Sequence, residues 1–228
     1  MPARPKLTLV FDLDGTLIDT APDLIRATNH TLSLRGLAPL PPATLRSEIS
    51  FGARYMIARA LTLSGIAVED AELDDLLERF LVYYADNIAV ESRPFPGLAE
   101  VLETCRRDGI TLAVCTNKRE GLSRLLLDKL GLAQLFRTIA GRDTFEVCKP
   151  HPDHLLKTIE RAGGEARHAI MVGDSEVDVA TAKAAAVPVI GVTFGYTRVP
   201  VTELGTDAVI DHYGEFAGAL DGILARRR

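Results

Sequence analysis

The chain lacks several things that would have placed it quickly. It has three cysteines in 228 residues (Cys105, Cys115 and Cys148), an odd number with no C-x-x-C spacing. Neither a disulfide framework nor a zinc site follows from that pattern, and a reducing cytoplasm is the expected home. No apolar run approaches the roughly 18 residues that cross a bilayer. The longest candidate, residues 184–196, is broken by Pro188 and two glycines, and the apolar stretch 7–11 is too short for a signal h-region. There is no basic excess either. Lys and Arg number 26 against 31 Asp and Glu, for a formal net charge of −5. Without a basic stripe, nucleic acid and anionic membrane are excluded as expected partners, whereas a small anion answers to local charge and stays possible.

What is present reads as a strand–helix alternation. Residues 7–11 form a short apolar run that ends abruptly in Asp12, the mark of a buried strand. From Pro96 onward, Leu98, Val101, Leu102 and Cys105 keep helical spacing, so a helix is expected over 97–108. A buried strand follows over 110–115, then a helix marked by Leu122, Leu125, Leu126 and Leu130 and closed by Gly131. Further strands are expected over 138–140, 169–172, 189–192 and 208–210. Helices fall after Pro152, over 177–186, and at the end through Phe216, Leu220, Ile223 and Leu224, with Arg226, Arg227 and Arg228 as a solvated tail. The pattern predicts an α/β fold, a Rossmann-like parallel sheet with helices on both faces. Residues 18–89 differ. They carry amphipathic stretches such as Leu73, Leu76, Leu77, Phe80 and Leu81, a proline break at Pro39, Pro41 and Pro42, and few strand-like runs. This segment reads as an all-helical insert after the first strand, leaving 1–17 and 90–228 as the core.

Four polar clusters fall beyond the carboxyl ends of expected strands, where open parallel sheets place their ligands. They are Asp12-Leu13-Asp14-Gly15-Thr16, Thr116-Asn117, Lys149-Pro150, and Gly173-Asp174-Ser175 with Asp178; only Lys149 lacks a strand just before it. Each alone could be a turn or a helix cap. Together they would bring four carboxylates and a lysine to one sheet edge, a repulsive arrangement unless a cation or a function compensates. Phosphoryl transfer uses such a set. An ionised aspartate can attack phosphorus if a divalent cation such as Mg²⁺ screens the two anions. A second acid two residues on can serve the leaving group and then water. A lysine, a hydroxyl and backbone N–H groups can bind the non-bridging oxygens.

These clusters, in this order, resemble the four motifs of the haloacid dehalogenase superfamily, and the match spans the chain. Phe95-Pro96-Gly97, Lys149-Pro150-His151-Pro152 and Gly191-Val192-Thr193-Phe194-Gly195-Tyr196 most resemble its phosphoglycolate phosphatase branch. The resemblance implies Asp12 as nucleophile and Asp14 as general acid/base. It implies Mg²⁺ held by the Asp12 and Asp174 carboxylates and the Asp14 backbone carbonyl. Thr116, Asn117 and Lys149 would bind the phosphoryl group, with Asp178 and Gly173 in support. Because Asp14 is retained, phosphate chemistry is expected rather than halide displacement. Residues 18–89 would be the helical cap, closing over the site and choosing the leaving group. Arg54, after Phe51-Gly52-Ala53, is the expected contact to a substrate carboxylate, and Ser50 stands where the family usually has a second glycine.

The expected function is Mg²⁺-dependent hydrolysis of a small soluble phosphomonoester, 2-phosphoglycolate first, through an aspartyl-phosphate, by a cytoplasmic monomer or homodimer. A sugar phosphomutase shares all four motifs, and pyrophosphatase is a further sibling. A phosphonate hydrolase would need a Schiff-base lysine in the insert, and residues 18–89 contain none. A non-catalytic phosphate-binding protein or phospho-receiver is the reading from another class. A receiver, however, places its acceptor acid where this chain has Thr116. His30, His154, His168 and His212 form no ligand spacing and read as bland, and His151 reads as a loop residue near the site.

Overall fold

The structure, a computed structural model, describes residues 7–227. Six parallel strands form the sheet: β1 (Thr8–Phe11), β4 (Thr111–Cys115), β5 (Thr138–Ala140), β6 (Ala169–Gly173), β7 (Val189–Val192) and β8 (Ala208–Ile210). Their order across the sheet is β5-β4-β1-β6-β7-β8. The first strand of the chain thus lies inside the sheet, with Leu9 opposite Leu112 on one side and Ile170 on the other. Strands covered on both faces need apolar residues at every position, and β1 and β6 are buried throughout.

Side-chain alternation sorts those residues between two cores. Leu9, Phe11, Val114, Val172 and Val192 face a large core closed by α5 (Leu98–Arg107), α6 (Glu120–Lys129) and α9 (Phe216–Arg226). Val10, Ala113, Met171 and Val189 face a smaller core closed by α7 (Pro152–Arg161) and α8 (Glu176–Ala184). The sequence-derived elements of this region recur within one or two residues at most ends.

The segment after β1 contains something its periodicity did not show. Ile18–Asp19 (β2) pairs antiparallel with Arg93–Pro94 (β3), a ribbon two residues long at each side. The expected all-helical insert therefore begins in a strand. Between β2 and β3 stand α1 (Ala21–Ser33), α2 (Pro42–Leu45), α3 (Ala53–Leu63) and α4 (Asp70–Asp86), with a 3-10 stretch over Arg46–Phe51. Helices α1, α3 and α4 pack on one another through Leu24, Met56, Ala60, Leu76 and Phe80, continuous with the larger core. Among the described residues, no helix is long and apolar enough to cross a membrane.

Candidate active site

The backbone turns sharply after β1. The Asp12 N–H donates to the Val172 carbonyl at 2.9 Å, and the Leu13 carbonyl accepts from Leu17 and Ile18, folding 12–18 into a tight loop. Gly15 sits at φ +84°, where a Cβ would stand 2.6 Å from Asp174 Oδ2, so only glycine lets this loop lie against the acid. Thr16 Oγ1 donates to Asp174 Oδ1 at 3.0 Å, and the Tyr196 N–H donates to Oδ2 at 2.8 Å. Tyr196 also accepts from the Thr20 and Ala21 N–H groups and donates to Asp19, tying the acid of β6 to the start of the helical segment.

Asp178 closes the next loop. Ser175 caps α8, with Asp178 accepting from the Ser175 N–H (3.1 Å) and hydroxyl (2.6 Å) in a capping box. Gly173 is required beneath it, because a Cβ there would come within 2.4 Å of Asp178 Cβ. The remaining oxygen of Asp178 accepts from Lys149 Nζ at 2.5 Å, and the same ammonium lies 2.9 Å from Asp12 Oδ1. That second contact is an ion pair without hydrogen-bond angles: Asp12 Oδ1 is buried with no hydrogen-bond partner.

Carboxylate oxygens of Asp12, Asp174 and Asp178 all lie within 4.8 Å of one another, and all three residues are buried. Three acids face one ammonium. Burial pushes the Asp12 carboxyl up to about 6, the Asp178 charge adds to it, and Lys149 opposes both. Asp174 is raised well above the ordinary carboxylate range by burial and by the charges of Asp178 and Asp12. For Lys149, burial pulls downward, but Asp12 and Asp178 outweigh it and hold the ammonium above the usual lysine value. An acid excess of this kind fits a hard divalent cation. Asp12 Oδ1 lacks a hydrogen bond, and the Asp14 backbone carbonyl accepts none among the described residues. The Asp14 carbonyl is therefore free to ligate, and the one close contact of Asp12 Oδ1 is its ion pair with Lys149.

The loop bearing Lys149 has no strand before it and is pinned from outside. Asn117 Nδ2 donates to the Lys149 carbonyl at 3.0 Å, and the Lys149 N–H donates to His154 Nδ1 at 3.1 Å. His154 Nε2 lies 3.0 Å from the Gly141 carbonyl, so the ring is neutral with its proton on Nε2. The Lys149–Pro150 peptide is cis. Asn117, expected as a phosphate ligand, gives one amide hydrogen to this loop, and its backbone N–H is unpartnered among the described residues. Buried Thr116 accepts the Lys118 N–H at 3.2 Å, leaving its hydroxyl proton to donate. Asp14 is held by Lys118 Nζ at 3.0 and 3.1 Å, and Lys118 also donates to Tyr84 of α4 at 2.8 Å.

Asp12, Asp14, Thr116, Asn117 and Lys149 open on one cavity of about 400 Å³, whose far wall includes Ile49, Met56, Leu77 and Phe80 from the helical segment. Arg54 lines it too. Its guanidinium, however, is engaged by Asp70 at 2.8 Å and Asp74 at 3.0 Å, at the exposed start of α4. The expected carboxylate contact is thus paired with two exposed acids.

The sequence pattern described as haloacid dehalogenase-like hydrolase matches residues 9–192. The chain belongs to that family. Among relatives of this hydrolase, the phosphoglycolate phosphatase of Agrobacterium fabrum is 50% identical over 221 residues, covering 96% of this chain and 95% of the relative. That of Mesorhizobium japonicum is 49% identical over 90% of both chains. A crystal structure of a predicted phosphoglycolate phosphatase from Haemophilus somnus superposes with a TM-score of 0.88 at 28% identity, covering 94% of this chain and 98% of the other. CbbY from Rhodobacter sphaeroides in complex with phosphate gives 0.81 at 25% identity, over 95% and 99%.

Sequence reasoning misses four participants in this hydrolase's site. Lys118 directly follows the Thr116-Asn117 cluster, yet nothing in that cluster gives it a role, and Tyr84 is 34 residues from it in the chain. His154 looks bland because its spacing fits no metal; its position five residues after Lys149, on the first turn of α7, is the available signal. Arg142, next to the Gly141 that follows β5, carries no signal. His151 caps α7 by accepting the Asp153 N–H and does not line the cavity.

Proposed function

We propose that this hydrolase is a phosphatase acting on a small carboxylated phosphomonoester, with 2-phosphoglycolate the best candidate, through an aspartyl-phosphate on Asp12. The observation that carries the reading is the convergence on one cavity of two acids with unlike surroundings. Asp12 is buried against Lys149, whereas Asp14 is half-buried beside Lys118. Two carboxyl groups in different environments can divide nucleophilic and acid–base work.

Asp12 attacks phosphorus, and the bond to the leaving oxygen breaks as Asp14 gives that oxygen a proton. Asp14 then takes a proton from a water whose oxygen attacks the same phosphorus, which returns Asp12 as a carboxylate and releases inorganic phosphate. Lys149, the Thr116 hydroxyl and the N–H groups of Leu13, Asp14 and Asn117, all three unpartnered among the described residues, suit the phosphoryl oxygens. The Asp12 and Asp174 carboxylates and the Asp14 carbonyl would hold Mg²⁺, while Asp178 is committed to Lys149 and the α8 cap. When bound, Mg²⁺ supplies positive charge that lets a carboxylate approach a phosphate dianion. Residues 18–89 act as a cap whose apolar wall keeps bulk water from the acyl-phosphate. The names of the Agrobacterium and Mesorhizobium relatives support the substrate.

The test is phosphate release from 2-phosphoglycolate, sugar phosphates, pyrophosphate and nucleotides, each with Mg²⁺ and with a chelator. Mg²⁺-dependent release from 2-phosphoglycolate above the others is expected. Release confined to pyrophosphate, or phosphate transfer between sugar positions without release, would overturn the reading.

A further inference from the structure

The cavity is lined by five cationic side chains: Arg54, Lys118, Arg119, Arg142 and Lys149. Three are spent. Lys149 pairs with Asp12 and Asp178, Lys118 with Asp14, and Arg54 with Asp70 and Asp74. Among the described residues, the side chains of Arg119 and Arg142 make neither an ion pair nor a hydrogen bond. The remaining acid on the lining, Asp143, accepts the Glu120 N–H at 2.7 Å. Two guanidinium groups are therefore uncommitted on the wall of a site built for anions.

Arg142 is the one that spans the cavity's two sides. Its backbone N–H donates to the Lys118 carbonyl at 3.0 Å, which fixes it beside the motif that lies next to Asp14. Its Nη1 reaches across to the helical wall, 4.0 Å from where a Cβ on Gly52 would stand. Two residues before Gly52, Ser50 lines the same cavity, and its hydroxyl is buried with no hydrogen-bond partner. Around these donors the wall is apolar, formed by Ile49, Met56, Leu77 and Phe80. Arg142 is itself exposed, so its guanidinium meets this wall from the solvent side, and a second anionic group that leaves water against the wall gains a partner there. A guanidinium fork matches a carboxylate with two parallel hydrogen bonds, which an ammonium cannot do.

We propose that Arg142, assisted by the Ser50 hydroxyl, binds the carboxylate of the substrate and so sets the preference for carboxylated phosphomonoesters. The inference rests on the phosphatase reading above and adds the group that recognises the far end of the substrate. It places selectivity on the β5 loop of the sheet as well as on the helical wall.

The experiment measures kcat/KM for 2-phosphoglycolate and for ethyl phosphate. Ethyl phosphate carries a methyl group where 2-phosphoglycolate has its carboxylate, and the proteins compared are wild type, Arg142→Met, Arg142→Lys and Arg54→Met, each checked for folding by circular dichroism. The ratio of the two values should fall about 100-fold in Arg142→Met, recover in part in Arg142→Lys, and stay near wild type in Arg54→Met. Ser50→Ala should lower the ratio by a smaller factor, about 5-fold. A ratio unchanged in Arg142→Met, or one that collapses in Arg54→Met instead, overturns the assignment while leaving the phosphatase reading intact. A wild-type protein that hydrolyses both esters equally well overturns the carboxylated-substrate reading itself, and the role of Arg142 with it.

Discussion

The carboxyl edge of the sheet and the helical wall opposite it hold their charges in different ways. At the edge, Asp12, Lys149, Asp174 and Asp178 are all buried, and three of the four are fixed by two or more neighbours. On the wall, Arg54 meets Asp70 and Asp74 in water, with the Asp70 side chain 92% exposed. A buried network of charges has one good geometry, because any departure leaves a charge unpaired in a poor dielectric. Exposed pairs are screened and can rearrange at little cost. The difference teaches that position-critical chemistry belongs to the sheet edge, and that the wall is free to vary with the substrate.

The comparison breaks most visibly at Asp12. Asp12→Asn keeps the size of the side chain and one acceptor oxygen but removes the nucleophile. Phosphate release at saturating substrate should fall by about 10⁴-fold or more, with the circular dichroism spectrum unchanged. Activity near wild type in Asp12→Asn would remove the reason to treat the edge as the reacting centre.

Next comes Lys149. Lys149→Met leaves Asp12 and Asp178 buried without their ammonium, and breaking such a pair costs about 3–5 kcal/mol. Denaturant unfolding at pH 7 should show that loss, and it should shrink toward pH 5, since a protonated carboxyl needs no counterion. A Lys149→Met protein as stable as wild type across this range would mean that the edge is wetter than its geometry implies.

His154 offers a smaller and cleaner effect. Burial, with Lys149 adding to it, lowers its pKa from 6.5 to about 4. The unfolded chain therefore binds the proton first as pH falls, and stability rises with pH between those values. The contribution is complete above about 6.5 and is lost toward pH 4, on the order of 3 kcal/mol in all. His154→Gln can keep one acceptor and one donor but has no titrating ring. Its stability should match or trail wild type at pH 7, and the gap should close or reverse near pH 4.5. Parallel pH profiles for the two proteins would show that His154 is not the neutral strut between Lys149 and Gly141.

How much of this is legible in the sequence follows from the same physics. Asp12 is legible because a five-residue apolar run that stops at an acid is the pattern of a buried strand delivering a carboxylate to its tip. The parallel sheet is legible because its strands read as near-continuous apolar runs, broken only by Thr8, Thr111 and Thr138. Thr116, Asp174 and Asp178 follow from strand ends in the same way. Lys149 is legible only by resemblance, since its loop has no strand before it. The β2–β3 ribbon is not, because two residues per strand cannot show a period of two. The committed Asn117 amide, the His154 strut and the Arg54 pairs are hidden for a common reason. Each depends on which of several partners a side chain selects in the folded chain, and composition does not encode that choice.

The finest test concerns Lys118, which joins an acid of the edge to the helical wall. Lys118 holds Asp14 with two short contacts and Tyr84 of α4 with a third, and its ammonium lies 4.5 Å from the centre of the Tyr84 ring. Tyr84→Phe removes only the hydroxyl, leaving the ring over the ammonium and the Asp14 pair in place. The lost bond is worth about 1.5–3 kcal/mol because its donor is charged. If the hydroxyl steadies Asp14 for proton transfer, kcat should drop by about 3- to 10-fold with KM nearly unchanged. If it serves only to pack α4, the melting temperature should fall while kcat holds. The first outcome makes the wall a participant in positioning the acid; the second confines position-critical work to the sheet edge, as the contrast between buried and exposed charges implies.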